Sequence, residues 1–156
     1  AGLAAALKTV TLHAQNWPWA QKAFGRKWAD EEADPAQSFD NQYAVEAALD
    51  KAARDRAAIS DANHFLYLVK ANQLFVAGGE KTPESGLRAI DAPTLMLQAE
   101  GDLVFFAGLA DQTQEMIGSD GTPVQRARIP GDRGHLNGVL NIQGQGDRIR
   151  AFLDQD

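Results

Sequence analysis

The run Ala92-Pro93-Thr94-Leu95-Met96-Leu97-Gln98-Ala99-Glu100-Gly101-Asp102 decides the fold. A short, nearly continuous apolar stretch behind a proline reads as a buried parallel strand, here Thr94 to Ala99. The polar turn Glu100-Gly101-Asp102 ends it. Downstream, Ala107 to Ile117 reads as a helix closed by Gly118-Ser119-Asp120-Gly121. Val124 to Ile129 reads as a second strand, ended by Pro130-Gly131 and followed by a loop through Gly134-His135. From about Ile142 to Leu153 a final helix follows, with Ile149, Phe152 and Leu153 apolar. Strand, helix, strand, helix is the order of an α/β parallel sheet.

Upstream the pattern is helical. Residues 1–15 read as a short helix. Residues 16–38, with Trp17, Pro18, Trp19, Trp28 and Pro35, read as irregular chain with short helical turns. Asn41 to Ile59 has Val45, Leu49, Ala52 and Ala53 on one helical face, with Asp50–Arg54 and Lys51–Asp55 pairs on the other. Ser60 or Asp61 caps a further helix, Ala62 to Val76. Its stripe of Phe65, Leu68, Val69, Phe75 and Val76 is widened by Leu66, Tyr67 and Leu74, so burial on more than one side is expected. Gly78-Gly79 stops it, and Glu80 to Ser85 reads as a polar loop. The chain thus divides into a helical region, 1–79, and an α/β region, 80–156.

The 156 residues include no cysteine, so disulfides, cysteine zinc sites and a thiol nucleophile are excluded. Three histidines without His-x-x-x-His spacing give no metal site. Fifteen basic against 21 acidic side chains leave a net charge of −6. With Arg126, Arg128, Arg133, Arg148 and Arg150 dispersed among acids, that balance argues against nucleic acid as a partner. No apolar run approaches the length of a membrane span. Ala1 to Leu7 is apolar without a basic segment ahead of it and reads as helix rather than signal peptide. A soluble protein, cytoplasmic or periplasmic, is expected.

Two loops could carry chemistry. Asp102 follows the first strand and His135 the second, and ligands of open α/β sheets bind at the carboxyl ends of strands. A carboxylate and then a histidine is the later part of the Ser…Asp…His order of α/β-hydrolases. There the histidine moves the nucleophile's proton and the carboxylate fixes its tautomer. The plainer readings are an Asp that bonds its own turn and a histidine without a partner. His64, on the helix 62–76, and Trp17, beside Trp19, are further candidates for lining a site, with ordinary packing as the alternative. None of the four serines sits in Gly-x-Ser-x-Gly. Ser119 comes nearest, but a helix rather than a strand precedes it.

The same segments resemble a known family. Asp61-Ala62-Asn63-His64-Phe65-Leu66-Tyr67-Leu68 is similar to a helix of homoserine O-acetyltransferases and their relatives. Ala23-Phe24-Gly25-Arg26, Phe39, Val45-Glu46 and Leu49 resemble the lid region preceding that helix. Ala92-Pro93-Thr94-Leu95 through Gly101-Asp102-Leu103-Val104-Phe105 resembles the strand and turn bearing the family's catalytic Asp, and Gly134-His135 its catalytic His loop. The resemblance implies Asp102 and His135 as catalytic residues and no tightly bound cofactor, with an acyl-CoA as co-substrate if the reaction is a transfer. Where the family has an Asp after the histidine that helps hold the substrate amino acid, this chain has Leu136. An apolar side chain does not pair with an ammonium group, so the acyl-transfer machinery carries over and homoserine does not.

The expectation is therefore the carboxyl-terminal part of an α/β-hydrolase fold: a helical lid, 1–79, and the last two parallel strands with flanking helices, 80–156. A separate amino-terminal segment or chain would supply the serine and the oxyanion hole. A small acyl substrate is the expected ligand, membranes are not, and the lid helices offer a surface for a homodimer. The rival expectation is a non-catalytic interaction module in which Asp102 and His135 are relics.

Overall fold

A computed structural model describes residues 2–155. Ala1, the expected start of the first helix, and Asp156 lie outside the described residues. The helical region opens with α1, Gly2–Ala14, and the short α2, Trp17–Ala23. Asn16 caps α2 through its side-chain oxygen, and Pro18 occupies the first turn, where a missing N–H costs nothing. The chain from Phe24 to Tyr43 then forms turns rather than helix. It is closed by an antiparallel bridge between Trp28 and Tyr43, with Ala29 N–H donating to Gln42 O and Ala44 N–H to Lys27 O, each at 2.8 Å. The Arg26 guanidinium stacks over the Tyr43 ring and donates to its hydroxyl.

Helix α3, Ala44–Ala58, packs on α1. Leu49 and Ala53 of α3 and Leu7 and Ala14 of α1 are buried at this contact. Alanine at 53 leaves room for a close approach, and the full burial of Leu7 contributes about 2 kcal/mol. Asp50 pairs with Lys8 at 2.6 Å and accepts from Gln42 at 2.8 Å. The expected Asp50–Arg54 pair is replaced by this contact because α1 brings an ammonium directly to the carboxylate. The Lys51–Asp55 pair forms as expected, at 2.6 Å.

Helix α4, Ala62–Leu74, begins at Asp61, whose Oδ1 accepts the His64 N–H at 2.7 Å. Its expected burial is corrected: no residue of α4 is buried, and Leu66, Tyr67, Leu68 and Leu74 stand exposed. The buried side chains of α3 face α1, so α3 does not cover this stripe. The stop also comes earlier than Gly78-Gly79, at Phe75, with a 3-10 turn over Ala77–Gly79. The polar stretch after it is partly helical rather than a loop. Thr82 and Ser85 cap each other and Pro83 opens α5, Pro83–Arg88.

Two parallel strands follow, β1 (Thr94–Ala99) and β2 (Val124–Ile129), in register from Thr94↔Val124 to Ala99↔Ile129. Between them α6, Ala107–Gly118, turns Ala110 and Ile117 inward and packs on both strands. After β2 a 3-10 turn over Gly134–Leu136 leads into α7, Asn137–Leu140. A second 3-10 turn, Ile142–Gln145, precedes α8, Gly146–Leu153, so the last helix is shorter than expected. The buried ends of the strands, Ala99 and Ile129, sit directly under the Asp102 and His135 loops. Among the described residues no helix is long and apolar enough to cross a membrane.

Candidate active site

Asp102 and His135 meet at the carboxyl end of the sheet. His135 Nδ1 lies 2.9 Å from Asp102 Oδ2. The other carboxylate oxygen, Oδ1, accepts the N–H groups of Val104 at 2.7 Å and Phe105 at 2.8 Å. The two carboxylate oxygens thus have separate partners, the residue's own turn and the imidazole. Oδ1 bonds the residue's own turn and fixes the carboxylate, which leaves Oδ2 aimed at the imidazole.

The Asp102 side chain is only 4% exposed, and that of His135 33%. Burial pushes the Asp102 carboxyl up, but the hydrogen bond to His135 and those from Phe105 and Val104 outweigh it. With the charge of His135, they hold the carboxyl below its ordinary value of 3.8. Asp102 is therefore an acceptor at neutral pH, and Nδ1 of His135 carries the proton between them. Nε2 is left as the nitrogen available to a reacting group. Phe105 stands edge-on to the imidazole, with ring centres 5.2 Å apart.

Glycine is required where the two loops touch. Gly134 has φ +57°, and a Cβ there would lie 3.1 Å from Gly101 O and 3.2 Å from Asn16 Cβ. Gly101, φ +66°, faces the Asn16 amide so closely that any side chain would collide with it. Asn16, which carried no sequence signal, is thus wedged between the two loops. Asn137, fully buried, is another polar residue that sequence reasoning missed. Neither has a motif around it; only the fold brings them to the site.

An apolar cavity of about 280 Å³ borders both Asp102 and His135, lined by Ala99, Phe105, Leu109, Ala110 and Thr113 among others. Thr113 offers the hydroxyl in that lining, and it donates to Leu109 O at 2.8 Å along its own helix. A second cavity, about 330 Å³, is lined by Leu12, Trp17, Trp19, Val45 and Leu103. Trp17 is 71% exposed there. Leu136 is half-buried in the turn that carries His135 and lines neither cavity. His64 is exposed on α4 and lines neither. Ser119 ends α6, and the length of that helix, roughly 18 Å at 1.5 Å per residue, separates it from the Asp102 loop.

No protein-family model matches the chain. By sequence it is similar to the homoserine O-acetyltransferase of Symbiobacterium thermophilum, 30% identical over 157 residues, covering 99% of this chain and 40% of that enzyme. The homoserine O-acetyltransferase of Haloferax volcanii is 27% identical over 146 residues, covering 86% of this chain and 34% of that one. Among solved structures, esterase E22 superimposes with a TM-score of 0.85 at 34% identity, over 98% of this chain and 42% of the esterase. The homoserine O-acetyltransferase of Bacillus anthracis has the same fold at a TM-score of 0.85 and 22% identity, over 99% of this chain and 41% of that one. The two strands and their helices are accordingly a mixed, mostly helical piece of the α/β-hydrolase fold. The chain thus resembles the homoserine O-acetyltransferases and an esterase of the α/β-hydrolase fold, and it spans about 40% of the length of the relatives it matches.

Proposed function

We propose that this chain contributes the acid/base half of a serine-dependent acyl-transfer site. The observation that carries the reading is the Asp102–His135 hydrogen bond of 2.9 Å, with a buried carboxylate at the carboxyl ends of two parallel strands. The nucleophilic serine and the oxyanion-hole N–H groups come from an amino-terminal segment of the α/β-hydrolase fold. Helices α1 to α4 form the lid, and β1 and β2 are the last two strands.

In this reading His135 Nε2 takes the proton of the serine hydroxyl as its oxygen bonds the acyl carbon of the substrate. The protonated imidazole is stabilised through Nδ1 by Asp102 and returns the proton to the departing group as the acyl–heteroatom bond breaks. The second half repeats these roles with water or another acceptor, restoring the serine. The apolar cavity beside the pair suits the non-polar part of a small acyl substrate. In a transfer the donor is an acyl-CoA, by resemblance to the acetyltransferases.

Leu136 favours ester hydrolysis over transfer to homoserine, because the turn beside His135 offers an apolar side chain where an amino acid's ammonium needs a carboxylate. The similarity to an esterase supports the same side. The exposed stripe of α4 is the surface on which a second copy of the assembled enzyme docks.

The test is turnover of p-nitrophenyl acetate by the enzyme carrying its nucleophile-bearing segment, with and without an alcohol or amine acceptor. Release of acetate unaffected by acceptor supports a hydrolase, and acetylated acceptor a transferase. Absence of acyl turnover, together with no labelling by a fluorophosphonate, sinks both and leaves the non-catalytic module.

A further inference from the structure

We infer that Asn137 is a positioning residue that sets the spacing between the Asp102 and His135 loops. The inference rests on the proposed acyl-transfer reading for its consequence, but not for its geometry. The last backbone bond between the strands is Glu100 N–H to Ile129 O, at 2.9 Å. Past it the backbone ladder stops, and among the described residues the hydrogen bonds that join the two loops are made by side chains. One is the His135–Asp102 bond itself. The other runs through Asn137, which is 0% exposed. Its Nδ2 donates to Glu100 O at 3.3 Å, and its Oδ1 accepts Arg133 N–H at 3.2 Å.

The two tethered residues stand in the same relation to the site. Glu100 is two places ahead of Asp102, and Arg133 two places ahead of His135. A single amide therefore fixes both loop stems. Asn141 Nδ2 braces the same oxygen at 3.3 Å while donating to Pro130 O at 2.9 Å. The fit leaves no slack: a Cβ at Gly131 would lie 2.3 Å from Asn137 Oδ1 and 2.5 Å from Asn141 Nδ2. A buried amide so engaged discriminates sharply between shapes, since an apolar substitute leaves the Glu100 carbonyl and the Arg133 N–H unpaired. Asn137 touches neither His135 nor Asp102 by a hydrogen bond, so its effect on them passes through the backbone.

The test uses two variants and two readouts. In Asn137→Ala the tether is gone. Asn137→Asp keeps the shape and the acceptor for Arg133 but sets an oxygen against Glu100 O. The first readout is the proton resonance of His135 Nδ1–H, shifted far downfield by a short bond to a carboxylate and identified by its loss in Asp102→Asn. The second is the split between kcat and KM for p-nitrophenyl acetate. Both variants are expected to lose or broaden the Nδ1–H signal while the amide spectrum of β1 and β2 persists. They should lower kcat by roughly 10- to 100-fold with KM little changed, as for a small misplacement of a reacting group. If Asn137→Ala does not fold, Asn137→Asp decides. A folded variant with the Nδ1–H signal intact overturns the inference. Absence of turnover in the parent enzyme would instead defeat the acyl-transfer reading and leave the Nδ1–H readout to judge Asn137.

Discussion

Replacing Asp102 by Asn separates the two jobs of its carboxylate. The amide oxygen can still accept the Val104 and Phe105 N–H groups, now at 2.7 and 2.8 Å, so the turn keeps its anchor. The amide nitrogen takes the place of Oδ2 and puts a donor 2.9 Å from His135 Nδ1. Two donors cannot share that line, so the imidazole must present a lone pair at Nδ1 and carry its proton on Nε2. A histidine in that tautomer cannot accept the serine's proton. In a serine triad the exchange costs about 10⁴ in rate, equivalent to about 5.4 kcal/mol of activation free energy, and the proposed function expects the same loss here. The stability loss is smaller, about 2 kcal/mol for one hydrogen bond to a charged group. The assay is steady-state turnover of p-nitrophenyl acetate beside a urea unfolding curve. A folded Asp102→Asn variant within tenfold of the parent rate would refute the assignment of Asp102 as the orienting carboxylate.

Two further perturbations have definite signs. Gly134→Ala forces an L-residue to φ +57° with its Cβ 3.1 Å from Gly101 O. It should destabilise the fold by about 2–3 kcal/mol, from the left-handed backbone and the crowding together, and an unchanged urea midpoint would contradict the packing described. Asp102 has its carboxyl held below 3.8, so its contribution to stability is whole above that pH and is lost as pH falls through the lower, folded-state value. The stability difference between parent and Asp102→Asn should therefore be constant near neutrality and shrink below pH 3.8; a difference that grows on acidification would show the carboxylate raised rather than lowered.

The sheet was legible because its punctuation is local. Pro93 and the Glu100-Gly101-Asp102 turn bracket β1, while Gly118-Ser119-Asp120-Gly121 and Pro130-Gly131 bracket β2, so both strands fall where their sequences predict. Asp102 and His135 were legible for the same reason: each follows a strand, and parallel pairing in register brings the following loops together. Helix α5 was not read: the polar composition of Glu80 to Ser85 masks the capping pattern of Thr82 and Ser85 and reads as a loop. The exposure of α4 was not readable. An apolar stripe predicts burial of a helix without saying whether the cover lies in the same chain. Asn16 and Asn137 were hidden because an asparagine is equally at home in a turn, a cap or on a wet surface. Only the approach of Gly101 and Gly134 to Asn16, and of Gly131 to Asn137, shows that these two are packed against the loops.

The central claim is that His135 moves the proton in an acyl transfer whose serine lies elsewhere in the fold. Its most direct measurement is the rate of p-nitrophenyl acetate turnover by His135→Ala in the enzyme carrying the nucleophile-bearing segment, with folding verified by an unchanged unfolding transition. The account predicts a loss of more than roughly 1,000-fold, as for removal of the base from a serine triad. A folded His135→Ala variant that turns over substrate at the parent rate would contradict it and place the acid/base role on another group.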